Sequence, residues 1–94
     1  MNDILGLVDD PALVADLRRV VAAADRTLHE MTVPVPRRAW TDARIVVLDA
    51  SAAAACATDC PRRPGVILVC SGTAGLADWQ AATIVGAEHV LALP

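Results

Sequence analysis

Five short apolar runs, each parted from the next by a polar or helix-patterned stretch, limit this chain to a small set of folds. The runs are Ile4 to Val8, Thr27 to Val33, Arg44 to Leu48, Gly65 to Cys70 and Glu88 to Leu93. Most are rich in Val, Ile and Leu without strict alternation, the pattern of strands buried on both faces. Strands that alternate with helical segments read as βαβ units, and right-handed crossovers wind such units into a parallel sheet. The expected fold is α/β: a three-layer, doubly wound, five-stranded parallel sheet.

The connecting segments carry helix signals of unequal length. Asp10-Pro11 reads as an N-cap followed by proline at the first helical position. Leu13, Val14, Leu17, Val20, Val21 and Ala24 then recur at three- and four-residue spacing and form one apolar stripe. Val33-Pro34-Val35-Pro36 forbids helix and ends the second strand. That leaves Arg37 to Ala43 for a short second helix carrying Trp40. Ser51 is placed to cap a short Ala-rich third helix that reaches about Cys60 and stops at Pro61. Leu76 to Val85 reads as a fourth helix closed by Gly86. No helix follows the last strand, so one face of the sheet carries the first helix alone. An apolar strip near strand five is then expected to stand uncovered, and such strips mark interfaces. Residues 1–94 are expected to form one domain, the leading part of a longer protein.

Composition removes several chemistries. All eight basic residues are Arg. Without Lys there is no P-loop ammonium, no Schiff base and no lysine general base. Eleven acids bring the net charge to −3, a field poorly suited to nucleic acid or anionic membrane. No apolar run approaches the roughly 20 residues of a membrane helix, and no secretory signal pattern opens the chain. The expected setting is cytoplasmic, without membrane insertion. Cys56 and Cys60 can share a helix face, but two thiolates do not close a zinc site, and His29 and His89 lie on distant segments. Small buried residues are the plainer reading, and Cys70 belongs to the core.

In a parallel sheet the loops at the carboxyl ends of the strands converge on one edge. Asp9 and Asp10 follow strand one, Asp49 follows strand three and Ser71 follows strand four. Three carboxylates there suit a hard divalent cation such as Mg²⁺, with a hydroxyl nearby for a phosphoryl oxygen carried on Asp49. Structural roles compete with that reading. Asp10 is explained as an N-cap, and Asp49 and Ser71 sit where strand-end loops favour small polar residues. Asp9 is the least easily explained, because neighbouring acids repel unless a cation relieves them.

These positions resemble the receiver domains of two-component response regulators. The resemblance rests on Leu7-Val8-Asp9-Asp10, Val46-Val47-Leu48-Asp49, Ser71 and Gly86-Ala87 through Pro94. It implies a flavodoxin/CheY-like sheet of order 2-1-3-4-5, here with shortened second and third helices and the final helix missing. It also implies roles: Asp9 and Asp10 bind Mg²⁺, Asp49 takes the phosphoryl group and Ser71 responds to it. The lysine that receivers carry just before the proline after strand five is replaced by Leu93. Phosphorylation of Asp49 would add about −1.5 to −2 charges with no ammonium to offset them.

A second resemblance is narrower. Thr73 to Pro94, with Trp79, Ala81-Ala82, Val85-Gly86-Ala87 and His89-Val90-Leu91, looks like CpaE-like proteins related to MinD ATPases, among them septum-site determining proteins of actinobacteria. So do Asp10-Pro11 with Leu13 and Leu17, and Val46-Val47-Leu48-Asp49. That resemblance implies a degenerate receiver followed by an ATPase domain beyond residue 94, working in septum placement or near pilus and secretion machinery. The expected function is a non-enzymatic pseudo-receiver that acts as an interaction module, with no cofactor beyond weak Mg²⁺. Its expected partners are its own C-terminal ATPase domain, a second copy through the strand-five region, and septum, pilus or secretion proteins, with recruitment to the septum or pole. Two other readings remain open: a receiver phosphorylated on Asp49, and a small-ligand-binding flavodoxin-like module. The last lacks a glycine-rich phosphate loop after strand one, where Asp9-Asp10-Pro11 stands.

Overall fold

The apolar runs form strands and the patterned segments form helices in strict alternation. The computed structural model describes residues 3–32, 35–56 and 61–93. In chain order its elements are β1 (Ile4–Leu7), α1 (Pro11–Ala23), β2 (Leu28–Glu30), α2 (Arg37–Asp42), β3 (Ile45–Leu48), α3 (Ala50–Cys56), β4 (Val66–Ser71), α4 (Leu76–Val85) and β5 (His89–Leu93). The strands make one sheet of order β2-β1-β3-β4-β5, and every neighbouring pair is parallel. This is the expected CheY-like and flavodoxin-like arrangement. Its carboxyl edge gathers the exits of β1, β3 and β4.

Both faces of the sheet are packed, by different means. On one face Leu5, Leu7, Val46, Leu48, Val66 and Leu68 meet Trp40 and Ala43, Ala52, Ala53 and Cys56 of α3, and Ala81, Ala82 and Val85 of α4. The alanines bring α3 and α4 close to the strands and to each other. On the other face Ile4, Val47 and Val69 meet Leu17 and Val21 of α1. Each fully buried Leu or Val contributes roughly 1.5–3 kcal/mol. The α1 stripe buries Leu13, Leu17 and Val21, whereas Val20, expected on the same stripe, is 48% exposed. It lies on the flank of α1 away from Val14, beyond which no second helix among the described residues covers β4 and β5.

An apolar strip does stand open there. Leu91 of β5 is exposed, and Ile67 and Leu93 beside it are half-buried on the α1 face. The polar side of α1 is tied to the sheet edge by ion pairs. Arg18 grips Glu30 through both carboxylate oxygens at 2.6 and 2.7 Å, and Arg26 reaches Asp3 at 3.0 Å. The hydrogen-bonded Arg18 guanidinium holds the Glu30 carboxyl below its usual value. Both groups are exposed, so the pair adds little to stability.

Two further expectations need correction. Strand two is confined to Leu28–Glu30, instead of Thr27 to Val33, because an edge strand has one partner and β1 offers only Ile4 to Gly6 in register. The third helix starts at Ala50, with Asp49 as its cap in place of Ser51. The expected end of that helix, with Cys60, lies outside the described residues. Gly86 is in the left-handed region at φ 71° and closes α4 as expected; a Cβ there would lie 2.8 Å from the Arg62 guanidinium.

Candidate functional site

The carboxyl edge collects the acids as the topology requires. Asp9 and Asp10 leave β1, Asp49 leaves β3, and Ser71 is the last residue of β4. A cleft of about 340 Å³ opens there, bounded by Asp10, Asp49, Ser51, Cys70, Ser71 and Asp78.

Asp49 is the one charged residue buried among the described residues, at 6% exposure. Both of its carboxylate oxygens accept from backbone amides. Oδ2 accepts from Asp9 N at 3.0 Å and from Asp10 N at 3.1 Å, and Oδ1 accepts from Ala52 N at 2.9 Å. The Asp49 carbonyl accepts Ala53 N at 2.9 Å, the first turn of α3. One side chain therefore caps α3 and holds the loop between β1 and α1 against β3. An ionised carboxylate is the right group for this, because it accepts without donating and sits at a helix N-terminus.

The other two acids are also committed. Asp10 Oδ1 accepts Ala12 N at 3.0 Å, which caps α1 as its sequence position implies. Asp9 Oδ2 accepts the Ser51 hydroxyl at 2.8 Å, so Ser51 ties α3 back to the β1 loop instead of capping its own helix. The repulsion expected among adjacent acids is relieved by N–H and O–H donors of the protein itself.

A Mg²⁺ site, implied by the receiver resemblance, was tested against this donor set. Among the described residues no three His, Cys, Asp or Glu are placed to hold a metal ion. Asp9, Asp10 and Asp49 share an edge but turn their oxygens to separate backbone and hydroxyl donors, so the arrangement does not fit the cation. His29 and His89 lie on β2 and β5, the opposite edges of the sheet, and both are exposed.

Ser71 is exposed at the cleft, and its register partner across β4 and β5 is Leu93. The side chain at the expected lysine position is half-buried against the α1-face core that includes Val69. It brings hydrocarbon to the place where an ammonium would stand. Next to Ser71, Cys70 is buried, and that burial, reinforced by the Asp78 carboxylate, pushes its thiol above the usual range. Asp78 is a cleft residue that sequence reasoning missed. Its Oδ2 accepts Gly75 N at 2.9 Å, the reach-back of an acid three residues after an N-cap, and that spacing was the available signal.

The family comparisons agree with this architecture. A family model described as "Rv3660c-like, CheY-like N-terminal domain" matches residues 7–94. Two curated Mycobacterium tuberculosis proteins are similar, "Uncharacterized protein MT3760" from strain CDC 1551 and "Uncharacterized protein Rv3660c" from strain H37Rv. Each is 42% identical over 91 residues, a stretch covering 94% of this chain and 26% of the relative. The chain thus spans about a quarter of the length of these relatives. No solved structure matches. Among the described residues no helix is long and apolar enough to cross a membrane.

Proposed function

We propose that this chain, which belongs to the Rv3660c-like, CheY-like N-terminal domain family, is a receiver fold without its phosphorylation switch, retained as a protein-interaction module. The observation that carries the reading is the Asp49 carboxylate, whose two oxygens are taken by three backbone N–H groups. A phospho-acceptor must present a free oxygen to the donor and then carry added charge. Here attack would break the cap of α3 and the anchor of the β1 loop together. Leu93 opposite Ser71 supports the same reading, since hydrocarbon stands at the position from which a lysine would pair with a phosphoryl group.

The finer assignment follows the narrower resemblance. The module regulates or localises a MinD- or CpaE-like ATPase domain in the same polypeptide, in the cytoplasm, at the septum or near pilus and secretion machinery. The domain itself performs no catalysis. Relatives about four times the length of this chain leave room for such a domain.

Incubation with acetyl phosphate and Mg²⁺, followed by prompt intact-mass measurement, tests the central claim. No mass increase is expected. A phosphoryl adduct that disappears in Asp49→Asn overturns it and establishes a working receiver. Removing this domain from a full-length relative and measuring ATP hydrolysis and cell position tests the finer claim, which fails if both are unchanged.

A further inference from the structure

We draw no further inference here: the strongest candidate, the apolar strip left open on the α1 face of the sheet by Val20 of α1, Ile67 of β4 and Leu91 and Leu93 of β5, carries nothing because nothing in the structure shows what covers it.

Discussion

Two aspartates at the same edge of the sheet begin helices, and they differ in everything but that. Asp10 is exposed and accepts one N–H, two residues along its own chain. Asp49 is 6% exposed and accepts three, two of them from residues 40 and 39 positions away. Asp10 is a local cap. Asp49 joins β3, α3 and the β1 loop into one unit. The contrast teaches that an acidic cluster at a receiver-like edge need not be a vacant ligand cage, because backbone amides can occupy both oxygens of a carboxylate.

The comparison can be broken most directly at Asp49. Asp49→Ala leaves three N–H groups without their acceptor, and unfolding free energy in urea is expected to fall by about 3–5 kcal/mol. A loss under about 1 kcal/mol would place Asp49 on the same footing as Asp10. Asp49→Asn keeps one acceptor oxygen and turns an NH₂ toward backbone donors, so an intermediate loss of about 2 kcal/mol is expected. Asp10→Ala should cost about 1 kcal/mol, the ordinary worth of an N-cap, in the same titration. Ser51→Ala removes the exposed bond to Asp9 and should cost about 0.5 kcal/mol. The smallest effect is expected from Mg²⁺: millimolar Mg²⁺ should leave Tm unchanged, and a clear rise abolished by Asp9→Asn would show that the acids do converge on a cation.

Much of the architecture was legible in the residues. The apolar runs around Ile4, Val46 and Val66 became β1, β3 and β4, since a two-sided buried strand needs continuous hydrophobicity, and the run around Val90 became β5, an edge strand left largely exposed. Asp10-Pro11 and Gly86 marked a helix start and a helix stop, because caps depend on local backbone geometry. β2 was overestimated, since the length of an edge strand is set by its single partner and not by its own β-branched content. Ser51 was misjudged for a related reason. Either Asp49 or Ser51 satisfies the pattern of an N-cap, and the choice fell to the one that also meets the β1 loop. Val20 belonged to the apolar periodicity of α1 but faces the open flank, which no pattern within α1 reveals.

The sequence by itself determined the layered α/β fold, the edge at which the acids gather, and the replacement of an ammonium by Leu93. The first two follow from periodicity, capping chemistry and strand count, all properties of short stretches of chain, and the third is what the receiver resemblance implies. The tertiary structure decided what the acids do. Whether Asp49 Oδ2 faces an open cleft or the amides of Asp9 and Asp10 depends on how β1 and β3 lie side by side. A hydrogen bond spanning that many residues is written in no local pattern, since its geometry exists only once the strands have paired.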